Sequence, residues 1–179
     1  KYLKKSALIG VGWVGDIIGY GLEYKEQIYS TIKQCPQHRF LFLTKNPERL
    51  PDWEVFPDNC PIGVSATNRG QFDKATYWLR SIEAKVKYIS FEPLLEPIGN
   101  MLVWLGQTVN WVIIGAQTRP YKPPKIEWVE EIVRTCDKAG VKIFLKDNIA
   151  PLLRRTDMNK PFWNNPRWML LRQEMPKES

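Results

Sequence analysis

Val86-Lys87-Tyr88-Ile89-Ser90-Phe91-Glu92-Pro93-Leu94-Leu95 is a short β-rich run that ends in a carboxylate followed by proline. Successive side chains of an extended strand point to opposite faces, so Ile89 and Phe91 share one face while Tyr88, Ser90 and Glu92 share the other. Pro93 has no N–H to give to a ladder, so the strand stops there. The run therefore reads as a strand with an apolar side, a polar side and an acid at its tip. In α/β proteins built on parallel strands, chemistry collects at the carboxyl ends of those strands. Other runs in this chain also end in polar residues.

Five further runs read as strands. They are residues 6–13, 39–44, 61–66, 110–115 and 141–145, and segments with helical periodicity or turn signals separate them. Leu22, Ile28, Ile32 and Cys35 fit one apolar stripe ended by Pro36. Asn68, with Gln71 three residues on, is a capping-box variant that opens a helix burying Phe72, Ala75, Leu79 and Ile82. Met101, Val103, Trp104 and Leu105 suggest a short helix. Ile126, Val129, Ile132, Val133 and Cys136 share the face of another, which Gly140 closes. Strands alternating with crossovers imply a parallel sheet with right-handed connections. The expected fold is α/β, a parallel (β/α) partial or incomplete TIM-type barrel of about six β/α units.

The chain has 179 residues. That suffices for one domain with a substantial core but falls short of the roughly 250 residues of a complete eight-unit barrel. Residues 1–150 read as the barrel-type domain. Residues 151–179 mix Arg154, Arg155, Lys160, Arg167 and Arg172 with Phe162, Trp163 and Trp168, and so read as a basic, aromatic extension packed on the domain rather than a disordered tail. No apolar run approaches the ~20 residues needed to cross a bilayer, and the first residues lack a signal-peptide pattern. A cytoplasmic protein without a membrane partner is expected.

The net charge of +7 favours polyanionic partners or anionic substrates without specifying one. Cys35, Cys60 and Cys136 lie far apart, an odd number with no pair at metal-site spacing, so no protein-ligated metal is expected from them. Cys136 belongs to an apolar helix face and reads as core. His38 is the single histidine, which excludes a site needing two imidazoles, and beside Pro36 it reads as a surface residue.

The residues at the strand tips are Asp16, Lys45, Ser65, Asn68, Glu92, Gln117 and Lys146. On a closed or partial barrel they converge at one mouth and form a substrate- or cofactor-binding site. The competing reading is that each is satisfied locally as a cap or loop residue. Lys45 and Lys146 suit an anionic group, whereas Glu92 could instead form an internal ion pair with a lysine. Gly10-Val-Gly12-Trp-Val-Gly15 matches the dinucleotide fingerprint literally. However, Gly19 and Gly21 interrupt the helix the fingerprint needs, and the next strand ends in Thr44-Lys45 rather than an acid, so these glycines read as structural. Arg154, Arg155 and Arg167 among aromatic residues form a candidate nucleic-acid surface.

Taken in order, Val14-Gly15-Asp16, Cys35-Pro36-Gln37-His38, Leu43-Thr44-Lys45-Asn46-Pro47-Glu48-Arg49, Ile62-Gly63-Val64-Ser65, Ser90-Phe91-Glu92-Pro93-Leu94-Leu95, Trp111-Val112-Ile113-Ile114-Gly115 and Phe144-Leu145-Lys146 resemble the phage gp-thirty-seven/gp-sixty-eight family of radical-SAM-like proteins. The resemblance covers roughly residues 6–150. It implies a β/α barrel and, in complete members, three clustered cysteines near the first strand. Those cysteines hold a [4Fe–4S] cluster whose open iron binds S-adenosylmethionine (SAM) for reductive cleavage to a carbon radical. Asp16, Lys45, Ser65 and Glu92 would then line the mouth. This chain carries no such cysteine cluster, and Gly115-Ala116-Gln117-Thr118-Arg119 stands where the family commonly has Gly-Gly-Glu-Ser-Gly.

The expected function is therefore part of a radical-SAM-like iron–sulfur protein of unknown substrate, with the cluster-binding segment lacking. The alternative is a non-catalytic module, of phage origin, that binds nucleic acid or phosphate. A missing first β/α unit predicts an exposed strand edge and self-association through it.

Overall fold

The computed structural model describes residues 5–101, 103–153, 159–165 and 170–176. Its centre is one six-stranded sheet made of β1 (Leu8–Val11), β2 (Arg39–Thr44), β3 (Ile62–Ser65), β4 (Lys87–Phe91), β5 (Trp111–Ile114) and β6 (Lys142–Leu145). Spatial order follows chain order and every neighbouring pair is parallel. Sequential parallel strands, each crossing over the same face to the next, curl in one direction. The sheet forms a half-barrel.

Alternation along each strand divides the side chains in two. Phe42, Val64, Ile89, Val112, Ile143 and their neighbours point outward into the main core. Leu41, Tyr88 and Trp111, with Leu43, Ile113 and Phe144 against them, form a smaller inner cluster. The faces anticipated for residues 86–95 are the faces observed: Ile89 and Phe91 belong to the outer core, and Tyr88, Ser90 and Glu92 face inward.

Short helices follow β1, namely α1 (Ile17–Tyr20), a 3₁₀ turn and α2 (Lys25–Lys33). The continuous helix expected from Leu22 is thus broken, with only residues from Lys25 onward α-helical and Tyr29 and Ile32 buried. After β3 comes α3 (Arg69–Leu79), whose cap Asn68 accepts from the Gln71 N–H at 2.9 Å. After β5 comes α4 (Ile126–Ala139), with Val129, Ile132, Val133 and Cys136 buried on one face and Gly140 left-handed at φ 68°. After β6 comes α5 (Ala150–Leu153).

Two crossovers lack an α-helix. A 3₁₀ stretch at Pro47–Trp53 joins β2 to β3. Between β4 and β5 the described residues form turns, not the helix expected around Met101 to Leu105. Gly99 and Gly106 sit there at φ 71° and 79°, values that stop a helix, while Ile98, Met101 and Leu105 still bury themselves against the sheet. Apolar content was enough to cover the outer face; the prolines and glycines decided the backbone.

The described part of the C-terminal extension packs on the domain. Phe162 is fully buried, and Leu145 N–H donates to Arg172 O while Glu174 N–H donates to Ile143 O, both at 2.8 Å. Residues 172–174 thereby run antiparallel along the free edge of β6, with Gln173 bridged to Phe144. Among the described residues nothing pairs with the outer edge of β1. Cys136 lies in the core as expected. His38 does not lie on the surface: it is 2% exposed and packs edge-on against Phe40, because the turn after α2 folds it under the sheet. No described helix is long and apolar enough to cross a membrane.

Candidate functional site

The inner face of the half-barrel bounds a cavity of about 660 Å³ that opens toward the carboxyl ends of the strands. Its floor is apolar and aromatic, made by Leu41, Leu43, Tyr88, Trp111, Ile113 and Phe144. Its rim is polar and includes Asp16, Lys45, Ser65, Glu92 and Lys146. These five positions come from five different segments of the chain, and period-two alternation on neighbouring strands brings them together.

Two glycines set the inner surface. A Cβ at Gly63 would lie 2.1 Å from the Tyr88 ring, so only glycine on β3 lets Tyr88 lie across that strand and donate its hydroxyl to Phe42 O at 2.8 Å. A Cβ at Gly115 would lie 3.1 Å from Glu92 Cγ. Gly115 follows β5, which separates β4 from β6, and its bare backbone lets Glu92 and Lys146 meet over it as an ion pair. The internal Glu92–lysine pair weighed from the sequence therefore exists, with Lys146 as the partner. Both of its members line the cavity.

Asp16 caps α1, accepting from Gly19 N–H at 3.1 Å. Its other oxygen accepts from Thr44 Oγ1 and Lys45 N–H at 2.8 Å and from Asn46 Nδ2 at 2.9 Å. Burial alone would raise the Asp16 pKa; the hydrogen bonds from Lys45, Thr44, Gly19 and Asn46 more than offset that and leave it below the ordinary carboxylate value. With four donors already in place, Asp16 fixes the tip of β2. Lys45 Nζ, by contrast, makes no hydrogen bond or ion pair among the described residues.

Ser65 and Ser90 are register neighbours on β3 and β4 and both line the cavity. Ser90 is 2% exposed, and neither hydroxyl is taken up by a protein partner among the described residues. Asn68 and Gln117 do not line the cavity: Asn68 is spent on its cap, and Gln117 donates to Pro120 O at 3.2 Å. Arg154, Arg155 and Arg167 lie outside the described residues.

Residues 4–154 match the model of a family described as protein of unknown function (DUF5131). The chain belongs to the DUF5131 family. No curated protein matches it. The family match ends close to the point where the half-barrel gives way to the C-terminal extension.

The cysteines of this DUF5131 chain do not fit an iron–sulfur cluster. Cys35 precedes β2 and Cys60 precedes β3, both on the amino-terminal side of the sheet, and Cys136 lies on the buried face of α4; none lines the cavity. Burial pushes the Cys60 and Cys136 thiols up to about 12, away from the thiolate that iron requires. Among the described residues no group of three or more His, Cys, Asp or Glu is placed to hold a metal ion.

Sequence reasoning missed three parts of the site. Ser90 and the floor residues Tyr88 and Trp111 were read for their faces but not as lining, although alternation in register with Glu92 was the available signal. Trp13 and Val14 line the mouth beside β1, and their apolar side chains resembled ordinary core. The wall given by the extension, where Trp111 Nε1 donates to Glu174 O at 2.9 Å and Met175 faces the cavity, depends on a contact 63 residues apart that carries no local signature.

Proposed function

We propose that the chain is the substrate-holding part of a TIM-type, radical-SAM-like β/α barrel protein, with a small molecule received in the cavity at the carboxyl ends of the strands. The observation that carries this reading is the cavity itself. An apolar aromatic floor supplies contact area, and a few converging polar groups supply orientation, the usual composition of a small-molecule site. Asp16 holds the β2 tip in place, Ser65 and Ser90 offer free hydroxyls, and the Glu92–Lys146 pair offers an acceptor and a donor side by side. The radical-SAM part of the reading rests on the residue resemblance between 6 and 150. In it the cluster belongs to residues other than Cys35, Cys60 and Cys136.

Fragment binding to the isotopically labelled chain, followed by amide chemical shifts, tests the cavity. Shifts concentrated at residues 43–46, 65–66, 90–92 and 113–116 are expected. Shifts concentrated in the opposite cleft beside His38, Arg39 and Asn59, or no binding at all, overturn the reading. Anaerobic reconstitution of the full-length gene product with iron and sulfide tests the rest: charge-transfer absorbance with SAM cleavage is expected, and neither appearing overturns it.

A further inference from the structure

Building on the substrate-holding reading of the cavity, we infer that its ligand is an aromatic oxyanion, a flat apolar ring system bearing a carboxylate, sulfonate or phosphate, with the anion held by Lys45, Ser65 and Ser90. Four charged side chains line the cavity, and three are already engaged. Asp16 is saturated by donors from within the fold, and Glu92 and Lys146 neutralise each other. Lys45 is left as the one charged side chain of the lining whose charged end has no hydrogen bond or ion pair among the described residues, and it is positive.

The second observation is independent of charge. Ser90 is almost wholly buried and lines the cavity, and its hydroxyl has no protein partner among the described residues. A hydroxyl that lines the cavity without a protein partner is available to donate to, or accept from, a ligand atom placed there. Ser65 stands beside Ser90 in register, and Lys45 follows directly on the Thr44–Val64 pairing of the next strand. One cation and two hydroxyls on three adjacent strands make a donor set for an oxyanion, and the backbone beneath Lys45 is fixed by Asp16.

The apolar half of the ligand follows from the floor. Tyr88 and Trp111 pack with ring centroids 5.2 Å apart, and Trp111 and Phe144 meet edge-on at 6.2 Å, so the surface below the donors is aromatic. Trp13, 66% exposed at the mouth, offers a further ring face. An inorganic anion would leave this surface wet, and a neutral ring would leave Lys45 and Ser90 unanswered.

A matched pair of fluorescent probes tests the class. 8-Anilinonaphthalene-1-sulfonate carries the sulfonate, and N-phenyl-1-naphthylamine has the same ring system without it. The expected result is tighter binding of the sulfonate probe by about tenfold or more. Lys45→Met should abolish that advantage with no change for the neutral probe, and Lys45→Arg should keep it. Equal affinity for both probes, with both lost in Ile113→Trp, overturns the oxyanion class and leaves the cavity standing. Probes that bind Ile113→Trp as well as they bind the unmodified chain, or that bind neither, overturn the class and the cavity reading together.

Discussion

The two edges of the sheet are treated differently by the same chain. At β6, residues 172–174 return to lie antiparallel against the strand and satisfy Leu145 N–H and Ile143 O through backbone bonds. The Glu174 carboxylate takes Ile143 N–H at 3.1 Å, and Arg172 is held by Asp137 and Glu174. At β1 nothing comparable exists among the described residues. Leu8 is 48% exposed, and residues 6–15 contain no charged side chain or proline of the kind that usually blunts an edge. A few residues of irregular strand suffice to close an edge when charged side chains anchor them. Among the described residues the edge of β1, which carries Leu8 and leads into Trp13 and Val14 at the cavity mouth, has no strand beside it.

The largest effect that sharpens this contrast comes from the closed edge. Truncation after Leu171 removes the bonds to Leu145 N–H, Ile143 O, Ile143 N–H and the Trp111 indole, and at about 1 kcal/mol each it should cost roughly 3–4 kcal/mol. Urea unfolding measures that loss. A truncated chain as stable as the whole one would show that the edge cover is incidental.

Asp16→Asn should rank second, destabilising by about 2 kcal/mol through loss of a charged acceptor for four donors. Its pH dependence is specific. The folded pKa of Asp16 is depressed, so its contribution is whole above the unfolded value near 3.9 and is lost as pH falls through the lowered folded pKa. The stability gap between Asp16→Asn and the unmodified chain should therefore be widest near neutrality and shrink in acid. A gap that widens in acid would contradict the assignment.

Leu8→Lys should have the smallest effect on stability, within about 0.5 kcal/mol, because the side chain is half exposed at an unpaired edge. Its effect should appear in light scattering instead. The unmodified chain is expected to self-associate and the lysine variant to be less associated. A monomeric unmodified chain at high concentration would remove the open edge as a pairing surface.

Much of the architecture was legible because period-two alternation is local. Residues 86–95 alone gave the faces of Tyr88, Ser90 and Glu92 against Ile89 and Phe91, and strand order follows chain order when each strand is separated from the next by a crossover. The crossovers were less legible. Apolar residues around Met101 are equally compatible with a helix and with buried turns, and backbone conformation at Gly99 and Gly106 decided the matter. Five of seven strand-tip residues line the cavity because their parity places them inward or at the tip. Asn68 and Gln117 fell away because a cap and a tight turn consume their amides locally. The burial of His38 and the return of residues 172–175 against Trp111 are long-range packing outcomes with no periodic signal.

The convergence of the inward strand tips is tested most directly by a nitroxide attached at Lys45→Cys in a Cys35→Ser background, read through paramagnetic broadening of backbone amides. Broadening is predicted at residues 14–16, 65–66, 92, 115–116 and 146, with Arg39, Cys60, Val86 and Val141 at the other end of the strands left sharp. Broadening of those four, with the amides of Glu92 and Lys146 unaffected, would contradict a shared rim.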